Sequence, residues 1–463
     1  GTVGLVIRLY YFPFNIPIID DGIDYFSYAV VSSQQGQLPV NWGLSNNGWP
    51  VFLSYFFSIF NSQNFLEFTY LQRSLTIIIS VLTIIPVYFL CKRFVNKKIA
   101  IISTTLFVFE PRIIINSLIG ITEPAYILLG TISLFLFLSK RFSIILISFF
   151  TLALCSIIRY EGFLLFIPFV IIFFIRFRKD KKIIKKIFLI MGIFFLTIAP
   201  MMFSMYEATG NDGIISPIFG GMNYVVGVGV EGNLDMEDSN YDSDEGKGKL
   251  LIFMTVGLIN LLKYMGWILI PTFVFFVPLG FFIIIKKRDF KTVTIFLFGI
   301  VMLIPALYTY GRGIEETRYL YPLIPILILI GCKFIYSLNK KYDYRKLAVV
   351  IISFVIISSV GYLEYDKNDN VYEREIYDAT VFVVKIADGV NEYSGNKFVR
   401  TAALENSWPE LLPLNEKNKM TVNIKKFSSK NSESLEQFLE NNKNQGLTHL
   451  VIVENDKELF LKK

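Results

Sequence analysis

The sequence predicts an α-helical polytopic membrane protein of about eleven spans, followed by a small α/β domain on the outer side of the membrane. Three observations carry this. The 463 residues are 53% hydrophobic and only 18% charged, with a mean hydropathy of +0.52; a soluble domain of that length carries more charge. The apolar residues fall into runs of about 20, the length a helix needs to cross a bilayer. The loops between those runs alternate in charge. The composition excludes a soluble globular enzyme, a disordered chain and a fibrous protein. A single His, His449, gives His-rich metal chemistry nothing to build on. Cys91, Cys155 and Cys332 all fall inside apolar runs, so they read as small buried hydrophobes and not as a disulfide framework.

In chain order, residues 1–12 (GTVGLVIRLYYF) read as the end of a first span. Further spans are expected at 67–91, 99–118, 124–139, 142–158, 162–176, 187–206, 266–285, 292–309, 319–338 and 347–363. Pro86, Pro168, Pro200, Pro271, Pro322 and Pro325 lie within spans, as membrane helices tolerate. The segment from Tyr25 reads as an interfacial helix. Residues 46–57 (NNGWPVFLSYFF) give a polar turn and then an aromatic segment too short to span. The glycine-rich stretch 217–232 follows no strand, so it is a flexible segment and not a dinucleotide loop. Residues 236–249 form an acidic loop, a solvated surface or a mobile lid, and 250–265 is an amphipathic stretch leading into the next span. From 364 the chain turns polar, with helices at 373–391 and 432–442 and strands at 397–402, 421–427 and 448–454. The expected domains are therefore 1–363 in the membrane and 364–463 outside it.

Charge sets the sidedness. The loops 91–98, 140–141, 176–186, 286–291 and 339–346 hold 21 Lys and Arg against three Asp, and they are every second loop. The alternate loop 207–249 has nine acids against two lysines. The positive-inside rule places the basic loops in the cytoplasm and the C-terminal domain outside. It also accounts for the net charge of +7 without any nucleic acid.

The ionisable residues near the spans gather at their outer ends. Asp20, Asp21 and Asp24 crowd into the first outer loop (IPIIDDGIDYFSYAV). One Asp suffices to cap a helix. Three carboxylates repel one another and raise the proton affinity of one, unless a cation, a metal or a substrate hydroxyl offsets the charge. Outer turns then bring Glu110-Pro-Arg112, Thr122-Glu123-Pro124, Arg159-Tyr160-Glu161 and GRGIEETRYLYP (311–322). Charges beside hydrocarbon default to a functional reading when they converge. A site on the outer face cannot rely on nucleotides, so an activated group must arrive on a lipid phosphate. Carboxylates supply a base, arginines match phosphate oxygens, and oxygen ligands admit Mg²⁺ or Mn²⁺.

The cluster DDGIDYFSYA, the GWP turn, the TEP opening of a span and RYLYPLIP opening a late span together resemble the GT-C glycosyltransferases. The similarity is to the branch of protein O-mannosyltransferases, the lipid A aminoarabinose transferase and related archaeal proteins. It runs through residues 1–363. The resemblance implies a polyprenyl- or dolichyl-phosphate donor carrying mannose or another hexose. It further implies an extracytoplasmic protein, glycan or lipid acceptor, inversion at the anomeric carbon, and an acidic base in the first outer loop. By position that base is Asp21 or Asp20, with Asp21 preferred and Asp24 an additional acid. Glu123 and Glu110 would assist acceptor or metal, Arg318 would hold the donor phosphate, and Arg159 and Arg112 are further candidates for that task. The alternative class is a membrane transporter or lipid flippase, which should place ionisable residues near mid-span and show paired halves. Here the span centres are Ile, Leu, Phe and Val and no internal repeat is visible.

Overall fold

The computed structural model describes residues 1–230, 246–286, 289–367, 370–386, 390–393, 397–411, 424–427 and 434–447. Seven helices among them are long and apolar enough to cross a membrane: Phe65–Lys92, Tyr160–Phe177, Ile183–Thr209, Leu250–Leu269, Phe290–Gly311, Thr317–Leu338 and the run beginning at Tyr344. The protein is a multi-pass membrane protein. The expected spans at 124–139 and 142–158 are the helices Glu123–Phe137 and Phe142–Ile158, of 15 and 17 residues.

Two expected spans differ from the sequence reading. The run 99–118 breaks at Glu110, giving Lys97–Val108 and Pro111–Asn116, because Pro111 has no N–H to continue the helix. The run 266–285 breaks after Leu269 at Ile270-Pro271. Its first part joins the stretch expected to be merely amphipathic, making one helix Gly246–Leu269, and Phe276–Ile285 remains as a short apolar helix.

Aromatic packing ties the bundle together. Phe137 stacks on Phe169 and Phe166 on Phe194, both at 4.2 Å between ring centroids, contacts worth about 0.5–1.5 kcal/mol each beyond their burial. The GWP turn opens the helix Gly48–Ile59, which presses against Phe142–Ile158. A Cβ on Gly48 would stand 2.2 Å from the Ile157 carbonyl oxygen, so only glycine lets the two backbones approach. Trp49 is fully buried and its Nε1 donates to the Gly120 carbonyl at 3.1 Å.

The basic loops meet at one end of the bundle. Lys291 Nζ donates to the Arg93 carbonyl and Lys333 Nζ to the Phe94 carbonyl, each at 3.1 Å. Arg176 lies over Phe290, 4.4 Å from its centroid.

Beyond the last span, the helix Asn370–Ile386 stands where a helix at 373–391 is expected. The segment 397–402 is not a strand. It begins the helix Val399–Leu411, because its buried residues Phe398, Val399, Ala402 and Ala403 recur at a helical spacing. A strand lies earlier, at Val390–Tyr393, and pairs in parallel with Ile424–Phe427. Leu435–Lys443 forms a helix within the expected 432–442 region. The expected strand 448–454, with His449, and the acidic loop through residue 245 lie outside the described residues.

Candidate active site

The helix Asp21–Gln35 starts one residue earlier than a side-chain cap at Asp21 would require. Asp20 is the N-cap, at φ +51°, and its carboxylate makes no cap hydrogen bond. Asp21 and Asp24 stand in the first turn, where the helix dipole favours negative charge.

Two buried side chains of the helix Phe65–Leu82 hold this start in place. Arg73 Nε donates to the Leu118 carbonyl at 2.8 Å, Nη2 to Pro17 at 3.0 Å, and Nη1 to the carbonyls of Ile16 and Pro13. Gln72 Nε2 donates to Gly22 at 3.0 Å and to Gly120 at 2.6 Å. The Gly120 carbonyl thus accepts from both Gln72 and Trp49. It links the acid-bearing helix, the GWP helix and the turn that leads to Glu123.

A cavity of about 850 Å³ opens above this scaffold, lined by Asp21, Asp24, Glu123, Arg159, Glu161 and Arg318 among others. Each of these carboxylates meets a guanidinium, while Arg312, also lining the cavity, lies over the rings of Tyr224 and Tyr308. Arg318 Nη1 donates to Asp21 Oδ2 at 2.6 Å, and Arg318 Nε pairs with Glu316. Arg159 bridges Glu123 at 2.7 Å and Glu161 at 2.9 Å, with Thr122 Oγ1 at 3.1 Å. Asp24 pairs with Arg400 from the helix Val399–Leu411. The lining also includes the apolar side chains of Pro217, Ile218, Met222, Val225, Ile304 and Pro305. A cavity with both charged and hydrocarbon lining suits an amphiphile with an anionic head.

Of the residues singled out in the sequence, Asp21, Asp24, Glu123, Arg159 and Arg318 come together on this cavity. Asp20 adjoins it without lining it. Glu110 and Arg112 stand apart and are buried. They pair with each other at 3.4 Å, and Arg112 donates to the carbonyls of Trp267 (2.7 Å) and Ile270, bracing the break between Gly246–Leu269 and Phe276–Ile285. Arg400 gave no signal in the sequence. Glu316 lies in the same outer turn as Arg318, and their pairing has no local signature in the sequence.

The crowding of the three aspartates shows at Asp20. Burial raises its proton affinity above the usual carboxylate range and Asp21 adds to this, while Lys397, Arg318 and Arg400 oppose it. Glu316 is raised as well, by burial first, with Arg318 pulling it back and Asp21 and Glu123 adding to the rise. A carboxylate whose folded-state pKa is raised binds its proton more tightly when folded. Its contribution to stability therefore falls as pH rises from its unfolded value, near 3.8, through its folded one. Asp20→Asn should accordingly raise the thermal midpoint at neutral pH, and Asn tolerates the positive φ. The gain should vanish when melting is repeated below pH 3.8; a lower midpoint at pH 7 would contradict the argument.

No group of three His, Cys, Asp or Glu side chains capable of holding a metal ion occurs among the described residues. The cavity carboxylates face guanidiniums.

No protein-family model and no curated protein matches the chain. Solved structures do. The Archaeoglobus fulgidus oligosaccharyltransferase, in complex with Zn and sulfate, superposes with a TM-score of 0.54 at 14% identity, over 90% of this chain. The chain spans only 57% of that protein's length. ArnT from Cupriavidus metallidurans, bound to undecaprenyl phosphate, gives a TM-score of 0.52 at 11% identity, covering 89% of this chain and 72% of that one. At such identities the likeness is one of fold, and the chain shares the fold of these two proteins.

Proposed function

We propose that the protein is a membrane glycosyltransferase that moves a sugar, mannose or another hexose, from a polyprenyl-phosphate donor to an acceptor on the outer face. The observation that carries this reading is the Asp21–Arg318 pair on a cavity with both charged and apolar lining, within a fold shared with ArnT bound to undecaprenyl phosphate. The isoprenoid chain lies along the apolar lining. The donor phosphate takes Arg318, whose planar fork matches phosphate oxygens, and Asp21 is thereby released. Asp21 then accepts the proton of the acceptor hydroxyl as its oxygen bonds the anomeric carbon. The bond from that carbon to the phosphate oxygen breaks, and its electron pair leaves with the polyprenyl phosphate. Attack opposite the leaving group inverts the centre. Glu123, held by Arg159, positions the acceptor, and no step passes through a metal. The alternation of basic and acidic loops supports an outer position for this cavity.

The test is transfer by purified protein in lipid nanodiscs, given a radiolabelled polyprenyl-phosphate hexose and peptide, oligosaccharide and lipid acceptors. Label should leave the lipid fraction and appear in one acceptor class. If no donor is consumed, while proteoliposomes carrying the protein move a labelled lipid across the bilayer, the transporter reading replaces this one.

A further inference from the structure

The helix Val399–Leu411 does not hang loosely beyond the last span; it is built onto the acid-bearing segment. Thr401 Oγ1 donates to the Ile18 carbonyl at 2.9 Å in a buried setting. Trp408 Nε1 donates to the Gln63 carbonyl at 3.0 Å, and its ring packs among Phe26, Phe65 and Phe68 at 5.4–5.6 Å. Phe398 and Ala402 cluster with Ile16 and Tyr377, enclosing the loop that precedes Asp20. Arg400 then meets Asp24 with both terminal nitrogens, Nη1 donating to Oδ2 at 3.2 Å and Nη2 to Oδ1.

This placement answers the charge problem of the cluster. Three carboxylates within one helical turn repel, and each unit of uncompensated charge favours protonating a neighbour. Two guanidiniums straddle them, Arg318 at Asp21 from the membrane body and Arg400 at Asp24 from the C-terminal segment. The charged and titratable groups facing the cluster are Asp20, Asp21 and Asp24 on the helix start, and Glu316, Arg318 and Tyr319 from the outer turn. Glu123, Arg159 and Tyr25 face it from the cavity, and Lys397 and Arg400 from the C-terminal segment.

We propose that the helix Val399–Leu411 is part of the active site, and that Arg400 is a positioning residue that engages both oxygens of Asp24 and offsets its charge beside the base, Asp21. The proposal rests on the glycosyltransferase reading for its kinetic half only. The acid limb of kcat/KM against pH reports the base. In the full-length protein, Arg400→Gln should move that limb upward by about 1 pH unit, and Arg400→Lys should restore most of the shift. An unmoved limb in a folded Arg400→Gln protein overturns the assignment. A second measurement needs no activity: thermal midpoints of Arg400→Gln, Asp24→Asn and the double variant. Losses that fail to add uphold the pair, and additive losses overturn it. If the wild-type protein consumes no donor, the functional reading fails while this cycle still decides the pair.

Discussion

Asp21→Asn should lower turnover by about 10² to 10⁴, the usual share of a general base and about 3–5 kcal/mol of barrier. The amide keeps the size of the carboxylate and its place in the first helical turn, so the protein should fold with an unchanged melting profile. It cannot accept the acceptor's proton. Asp24→Asn should cost less, since Asp24 is engaged by Arg400. Measuring donor consumption for Asp20→Asn, Asp21→Asn and Asp24→Asn side by side separates the possibilities. Activity lost only at Asp20 or Asp24 reassigns the base, and full activity in all three removes base catalysis from this segment.

Arg318→Ala should weaken donor binding by about 10- to 100-fold, the range expected for losing charge-assisted hydrogen bonds to an anion. Arg318→Lys retains the charge but not the fork and should fall between. Both changes also leave Asp21 and Glu316 without their guanidinium, so the melting midpoint should drop in the alanine variant. Affinity for the polyprenyl phosphate itself, measured by intrinsic fluorescence or calorimetry, separates the two effects. Unchanged affinity in Arg318→Ala would show that the phosphate binds elsewhere.

The bundle was legible in the sequence because hydrophobic length and loop charge are one-dimensional properties, and both survive folding. The candidate site was legible in part for the same reason. Charged residues at the same ends of successive spans are brought to one level, and Asp21, Asp24, Glu123, Arg159 and Arg318 line one cavity. What the sequence does not encode locally is azimuth. Glu110 and Arg112 lie at an outer turn like the others, yet they face a neighbouring helix break instead of the cavity. The Arg400–Asp24 pair joins residues 376 positions apart, beyond the reach of any local pattern. At 397–402 the apolar residues come in pairs four apart, which a short window reads as a strand and a full turn reads as a helix.

The Gly120 carbonyl has two lone pairs, and both are engaged, one by the GWP tryptophan and one by Gln72. Losing either donor unties one element from the other two, so a change at Trp49 or Gln72 loosens the acid side of the cavity. The apolar lining, Ile218, Met222, Val225 and Ile304, takes no part in that hub. A lineage built on this scaffold can therefore diversify the lipid or sugar it accepts by drifting in that lining alone, while the acid side stays tied through a single oxygen atom.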